Sequence, residues 1–213
     1  MSEQDQHLDA LQDIRRMMNN SSRFISLSGW SGVAAGTCAL LSAIYTANKI
    51  ECWKRADCRF EQIILDGGDR LQATLVQIAA VTFAAALVLA FLFTWLRSRK
   101  TGVPIWGYSA RKLMVQVAVP MVAGGLVIWR MMDFGLYGLV APACLIFYGL
   151  ALVNASKYTL PEIRFLGYFQ LALGIVNLWM IGYGLYFWAA GFGVLHIVYG
   201  IIMWNKYERG TNS

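Results

Sequence analysis

The chain has 213 residues, of which 58% are hydrophobic and 14% are charged, and its mean hydropathy is +0.51. A soluble domain of this length cannot place so much apolar surface in one core, so the composition excludes an ordinary soluble protein. The net charge of +6 does not indicate nucleic-acid binding, because the basic residues flank apolar segments instead of forming a basic stripe interleaved with aromatic residues. We therefore expect an integral membrane protein whose main partner is the lipid bilayer and which binds no nucleic acid.

Residues 1–24 predict an amphipathic cytoplasmic helix. Within residues 4–24, apolar side chains recur every three to four positions among charged ones, at Leu8, Leu11, Ile14 and Met18. The polar start Met1–Gln6 lacks the basic and apolar regions of a cleavable signal peptide, so we expect the first membrane span to be retained. The exposed face of this helix is a candidate contact for a cytoplasmic protein partner.

Residues 25–213 predict an all-α, polytopic membrane helix bundle with six transmembrane helices. A hydrocarbon core of about 30 Å needs about 20 apolar residues per helix. The predicted spans cover about Ser28–Asn48, Leu71–Leu96, Leu113–Met132, Leu136–Ala155, Phe165–Tyr186 and Trp188–Trp204. The first two are separated by a predicted outer loop at 49–70, in which residues 66–69 resemble a turn.

The basic residues predict the orientation of this bundle. The segment 97–112 carries five basic residues and no acidic residue, which places it in the cytoplasm. The outer loop 49–70 carries five basic and five acidic residues, which weakens the asymmetry without reversing it. We expect a multi-pass protein of the bacterial inner membrane with both termini in the cytoplasm.

The third and fourth predicted spans resemble the fifth and sixth at an offset close to 50 residues. Matching positions are Gly124 and Gly174, Trp129 and Trp179, Gly135-Leu136-Tyr137 and Gly184-Leu185-Tyr186, and Tyr148-Gly149 and Tyr199-Gly200. The pattern predicts two homologous hairpins in the same direction, unlike the inverted repeats of many transporters. A chance match among Gly, Leu and Tyr is the alternative.

Three runs of residues, Ser21–Gly29, Ala141–Thr159 and Gly191–Ile201, carry a resemblance to a known family. They resemble a family of uncharacterised six-span membrane proteins of Bacteroidota, and the resemblance covers nearly the whole chain except residues 52–70. Some relatives carry the label beta-carotene monooxygenase. We reject that activity here, because carotenoid cleavage needs iron held by several histidines and this chain has only His7 and His196.

The candidate ligand site contains His196, Asn177, Arg130, Asp133 and Tyr199. His196 is the only ionisable residue of the sixth predicted span apart from tyrosine, and ionisable groups in a membrane are often functional. The alternative is a neutral histidine that is hydrogen-bonded to a neighbouring helix. Arg130 and Asp133, three residues apart, either join the ligand site or form an ion pair at the membrane interface.

Cys52 and Cys58 are a candidate disulfide in the outer loop, with two free thiols as the alternative. The glycines Gly32 and Gly36 predict close helix packing, either within the chain or in an oligomer. We expect no metal site and no cofactor.

These features favour a non-enzymatic membrane protein that binds, transports or senses a small apolar or amphiphilic ligand. The first alternative is a membrane-embedded enzyme that modifies lipids. The second is a structural or assembly subunit with a cytoplasmic partner.

Overall fold

The computed structural model describes residues 28–54, 60–102 and 107–209, and this part of the chain is helical without strands. Helices α1 to α5 cover Gly29–Lys54, Phe60–Thr101, Tyr108–Asp133, Val140–Ala155 and Glu162–Trp179. A sixth helix, α6, covers Gly184–Tyr207. A short 3₁₀-helix, Tyr137–Leu139, leads into α4. The all-α fold class is confirmed.

Among the described residues, five helical segments are long and apolar enough to cross a membrane. They are Gly29–Glu51, Thr74–Lys100, Ser109–Asp133, Tyr137–Ala155 and Gly184–Tyr207. Helix α5 is not among them, because its 18 residues include Glu162, Arg164, Gln170 and Asn177. The chain is therefore a membrane-type helical protein, with five candidate spans in the part that the structure describes.

The boundary predicted between the last two spans is wrong. Helix α5 ends at Trp179, and α6 begins at Gly184. The predicted fifth span, Phe165–Tyr186, therefore included the turn and the start of α6. The turn between them contains Gly182 with a φ of 105°, a conformation that side chains disfavour. Hydropathy could not predict this turn, because the sequence around it is continuously apolar and hydropathy carries no information about backbone dihedral angles.

Helices α1 and α2 extend into the segment predicted as an outer loop, from Lys49 to Lys54 and from Phe60 onward. The predicted turn at residues 66–69 is therefore wrong, because α2 runs through it. Glu, Gln and Leu between residues 61 and 65 favour a helix, and the two glycines at 67 and 68 lower helix stability by only about 1 kcal/mol each. The amphipathic helix at 4–24 lies outside the described residues.

Glycines bring α1 against α6 and α4 against α5. A Cβ atom added at Gly32 would lie 3.1 Å from the carbonyl oxygen of His196, so α1 and α6 meet almost backbone to backbone. A Cβ atom added at Gly149 would lie 2.9 Å from the carbonyl oxygen of Gly167, which shows the same proximity between α4 and α5. The partner of the Gly32–Gly36 pattern is thus another helix of the same chain.

The first and last described segments meet at one end of the bundle. A carboxylate oxygen of Glu208 accepts hydrogen bonds from the backbone N–H of Gly29 at 2.6 Å and from Arg97 at 2.7 Å. Arg97 lies near the end of α2, so the start of α1, the end of α2 and the end of α6 share this end. We call it the Glu208 end.

Candidate functional site

A group of polar side chains is buried where α4, α5 and α6 meet. Gln170 and Asn177 of α5 are completely buried, and His196 of α6 is 8% exposed. Tyr148 of α4 completes the group by contacting the histidine. We call these four residues the polar cluster.

His196 is held by hydrogen bonds at both ring nitrogens. Its Nδ1 lies 3.0 Å from the carbonyl oxygen of Gly191, and its Nε2 lies 2.7 Å from the hydroxyl of Tyr148. Because a carbonyl can only accept, Nδ1 carries the hydrogen, and Nε2 accepts the hydroxyl hydrogen of Tyr148. The arrangement is that of a neutral histidine bonded to a neighbouring helix, which is the alternative that the sequence left open.

The Gly191 carbonyl belongs to an irregular part of α6. Residues Ala189–Leu195 form a π-helix between the α-helical stretches Gly184–Trp188 and His196–Tyr207. The Gly191 oxygen also accepts a hydrogen bond from Nε2 of Gln170 at 2.8 Å. Short π-helical segments occur often at functional sites, and this one presents a backbone acceptor to two side chains.

Aromatic rings enclose one side of His196. The Phe192 ring lies nearly parallel to the imidazole, at a centroid distance of 6.1 Å, and 5.2 Å from the Tyr148 ring. Trp188 lies 5.3 Å from Phe192. These rings pack beside the imidazole and restrict its orientation.

Three amide atoms of the polar cluster have no hydrogen-bond partner among the described residues. They are Oε1 of Gln170 and both Oδ1 and Nδ2 of Asn177. An unpaired buried amide atom costs roughly 1–3 kcal/mol, so Asn177 is the least satisfied buried side chain of this part of the chain. The sequence ranked it below His196, because its surroundings depend on how three helices pack.

Asn177 lies against the beginning of α6. A Cβ atom added at Gly184 would be 4.0 Å from Nδ2 of Asn177, which is an ordinary van der Waals distance. The same added atom would be only 3.1 Å from the Cβ atom of Ala141, which is a tight contact. A Cβ atom added at Gly191 would be 2.5 Å from Oε1 of Gln170, so packing is tight beside both amides.

The structure separates the other predicted site residues from the polar cluster. Arg130 and Asp133 pair with each other at 3.3 Å, with side chains 66% and 47% exposed, at the end of α3. The guanidinium of Arg130 also lies 4.3 Å from the Phe134 ring centre. These contacts show the ion pair of the alternative interpretation; its place at a membrane interface stays a prediction.

Tyr199 is half-buried and lies 6.4 Å from the ring of Phe169, on α5. The tyrosine that contacts His196 is Tyr148 instead. The sequence contained a signal for Tyr148, since Tyr148-Gly149 matches Tyr199-Gly200 in the repeat, but pointed to the wrong member of the pair.

The glycines that share a helix face with His196 do not leave room for a ligand. A Cβ atom added at Gly193 would meet the Leu40 side chain, at 2.6 Å from Cγ. One added at Gly200 would lie 2.7 Å from the backbone nitrogen of Val33. Helix α1 therefore occupies the space beside these glycines.

Charged residues at the Glu208 end form a second group of contacts. Glu162 accepts a hydrogen bond from Lys206 at 2.5 Å and from the Tyr207 hydroxyl at 3.0 Å. Burial opposes ionisation of Glu162, but hydrogen bonds from Lys206 and Tyr207 outweigh it and hold the pKa of the carboxyl below its ordinary value. The contacts join the start of α5 to the end of α6.

Within residues 28–54, 60–102 and 107–209, no group of three or more His, Cys, Asp or Glu side chains is arranged to hold a metal. Cys38 and Cys144 are free thiols. Of the candidate disulfide pair, Cys52 belongs to the last turn of α1 and Cys58 lies outside the described residues, so the pairing stays a prediction. Comparison of the chain with models of known families, with curated proteins and with solved structures gave no match.

Proposed function

We propose that the chain is a six-span protein of the inner membrane that binds a small amphiphilic ligand at its polar cluster. Helix α5 is the sixth span in this proposal. Its 18 residues reach about 27 Å at the usual rise of a helix. Gln170 and Asn177 face inward, while Phe165 and Phe169 are 56% and 54% exposed, which suits a helix whose outer face contacts lipid.

The proposed orientation places the Glu208 end in the cytoplasm. Arg97, Lys206 and the segment 97–112 lie at or next to this end, and lysine and arginine near spans favour the cytoplasmic side. Both termini would then be cytoplasmic, and residues 4–24 would be available to a cytoplasmic protein.

One observation carries the ligand proposal: Asn177 is completely buried, and neither atom of its amide has a hydrogen-bond partner among the described residues. In the interior of a membrane protein such a group is costly, so a molecule that satisfies it would be held firmly. The polar cluster has no formal charge with His196 neutral, which favours a ligand with a small polar part and an apolar remainder.

The test is chemical analysis of what co-purifies with the protein. Wild type and Asn177→Leu are purified from the same membranes in the same detergent, extracted, and compared by mass spectrometry. We expect a small molecule that is enriched with wild type and depleted with Asn177→Leu. Gln116→Leu, which removes a half-buried amide from α3 away from the polar cluster, is the matched control and should retain the molecule.

Identical extracts from wild type and Asn177→Leu would contradict ligand binding at this site. They would favour the structural or assembly role. A molecule that is chemically altered by the purified wild type, but not by His196→Ala, would favour the lipid-modifying enzyme instead.

A further inference from the structure

Three basic side chains lie around the turn that joins α4 to α5. Lys157 is in this turn, next to Ser156, whose hydroxyl oxygen is 3.4 Å from Nε of Arg164. Nζ of Lys112, in the second turn of α3, lies 6.0 Å from the ring centre of Tyr158, the residue after Lys157. The start of α3 and the start of α5 therefore meet the same turn. We call Lys112, Lys157 and Arg164 the basic corner.

The basic corner lies where three helices leave the apolar part of the bundle. Lys112 is the fourth residue of the candidate span Ser109–Asp133, and Lys157 is the second residue after the candidate span Tyr137–Ala155. Arg164 is the third residue of α5. All three side chains are exposed. Long basic side chains at the ends of membrane spans extend toward the lipid headgroups, so a headgroup can reach all three.

Acidic residues are missing from the segments that form the basic corner. Segments 107–112 and 153–161 contain no Asp or Glu. The acidic residue nearest in sequence, Glu162, already accepts hydrogen bonds from two side chains at the end of α6. Neither Lys157 nor Arg164 forms an ion pair with another described residue. The corner therefore has an excess of positive charge, which is complementary to an anionic group.

Aromatic side chains continue from the basic corner along the outer face of α5. Phe165 directly follows Arg164 and is exposed, and Tyr168, one turn further along the helix, is also exposed. Their rings lie 6.5 Å apart in an edge-to-face arrangement. An anionic phospholipid would contact the cations with its headgroup and this outer face with an acyl chain, whereas free phosphate would contact the cations alone. The arrangement therefore favours a lipid as the source of the anion.

We propose that the basic corner binds the phosphate group of an anionic phospholipid of the phosphatidylglycerol type. A zwitterionic phospholipid carries an ammonium group beside its phosphate, and the cations of the corner repel that group. The corner therefore selects lipids by net charge. This surface site is separate from the polar cluster and does not depend on the ligand proposed there.

The test is native mass spectrometry of the full chain in a neutral detergent, titrated with phosphatidylglycerol or with phosphatidylcholine of the same acyl chains. Wild type should bind phosphatidylglycerol more tightly. Lys157→Gln/Arg164→Gln should weaken that binding by about thirtyfold, since each basic side chain beside an anionic lipid contributes about fivefold. Lys157→Arg/Arg164→Lys, which keeps both charges, should bind phosphatidylglycerol like wild type.

The matched control is Arg99→Gln/Lys100→Gln. It removes two exposed positive charges from the end of α2, at the same end of the bundle but outside the basic corner, and should bind phosphatidylglycerol like wild type. The single variant Lys157→Gln, at an exposed position of the turn, should weaken binding by about fivefold. It keeps the test independent of whether the double variant folds.

Three results would overturn the proposal. Equal weakening by Arg99→Gln/Lys100→Gln and by Lys157→Gln/Arg164→Gln would show that the lipid responds to overall positive charge and not to the basic corner. Equal binding of phosphatidylcholine and phosphatidylglycerol to wild type would refute selection by charge. Displacement of phosphatidylglycerol by an excess of inorganic phosphate, at constant ionic strength, would show that the corner recognises free phosphate instead of a lipid.

Discussion

The hydrogen bonds of His196 show how one residue can join three helices. The imidazole accepts from Tyr148 of α4 and donates to Gly191 of α6, and the same Gly191 oxygen accepts from Gln170 of α5. The sequence singled out His196, because an ionisable group in an apolar segment is conspicuous. It could not identify Tyr148 as the partner, because 48 residues separate them and only packing brings them together.

A double-mutant cycle should measure the Tyr148–His196 hydrogen bond. Tyr148→Phe and His196→Ala should each destabilise the protein by roughly 1–3 kcal/mol, because each leaves a buried polar partner unsatisfied. The double variant should lose less than the two together, with a coupling of about 0.6–2 kcal/mol. The measurement is unfolding in detergent, with Tyr186→Phe, an exposed tyrosine that is 73% accessible, as the control.

Additive losses in this cycle would show that the hydrogen bond contributes no stability. Loss of the co-purified molecule in His196→Ala without loss of stability would mean that the histidine contacts the ligand directly. The geometry predicts instead that His196→Ala lowers stability, since both ring nitrogens already have protein partners.

At the scale of helices, two pairs are built from the same contacts. A Cβ atom added at Gly36 of α1 would lie 2.7 Å from Cγ1 and 3.0 Å from N of Ile197 in α6. One added at Gly174 of α5 would lie 2.7 Å from Cγ1 and 3.0 Å from N of Ile146 in α4. The pairs α1–α6 and α5–α4 therefore pack alike. They are not the pairs α3–α4 and α5–α6 that the sequence repeat matched, so the repeat stays a prediction.

Adjacent glycines of α3 offer a matched test of helix packing. A Cβ atom added at Gly124 would lie 2.5 Å from Cγ of Phe147, whereas one added at Gly125 would meet nothing within 4 Å. We expect Gly124→Ala to lower the melting temperature. Gly125→Ala should leave it unchanged or raise it, since alanine favours a helix by about 1 kcal/mol over glycine.

The melting temperatures of both alanine variants in detergent are the measurement. A Gly124→Ala protein as stable as wild type would show that α3 can shift away from α4 without cost. The double variant Gly124→Ala/Phe147→Ala removes the Phe147 ring. It should relieve the clash with the new alanine but lose the packing of that ring between α3 and α4.

Sequence patterns predicted the helices well and the contacts between them poorly. Apolar stretches of about 20 residues locate membrane spans, because the thickness of the bilayer sets their length. The turn at Gly182, the π-helix at Ala189–Leu195 and the burial of Asn177 depend on dihedral angles and packing. Hydropathy contains no information about these features, so the site could be predicted only in part, through His196 and Asn177.

At the scale of the whole molecule, the contact between Arg97 and Glu208 places the end of α2 and the end of α6 on one side. Their side chains lie 2.7 Å apart and are only 13% and 16% exposed. Reporter fusions after Arg97 and after Arg209 should therefore give the same result, and the basic residues predict that it is cytoplasmic. A fusion after Gly182, in the turn at the opposite end of α5, should read external; opposite results at Arg97 and Arg209 would refute the topology.

The contacts of Glu162 predict a dependence of stability on pH. Because the folded pKa of this carboxyl is depressed, its contribution is complete above the unfolded pKa of about 4.3 and is lost as the pH falls through the folded pKa. Wild type should therefore lose more stability on acidification than Glu162→Gln does. Unfolding curves recorded between neutral pH and about pH 3 provide the measurement.

Two variants of the partner of Glu162 serve as controls. Lys206→Arg keeps a cation beside the carboxylate and should retain the pH dependence, whereas Lys206→Met should reduce it. An equal loss of stability with falling pH in wild type, Glu162→Gln and Lys206→Met would contradict this prediction. It would show that the exposed lysine does not influence folding.

The π-helix of α6 offers a physical reason for the uneven offset of the predicted repeat. Thirteen residues separate Gly135 from Tyr148, but fifteen separate Gly184 from Tyr199. The shorter stretch contains the 3₁₀-helix Tyr137–Leu139, which rises about 2.0 Å per residue, whereas the longer one contains the wider π-helix Ala189–Leu195. If the two hairpins are homologous, the winding of the helices absorbs the difference in chain length between them. We expect a single-residue deletion within 189–195 to tighten this winding before it disturbs the glycines beyond it.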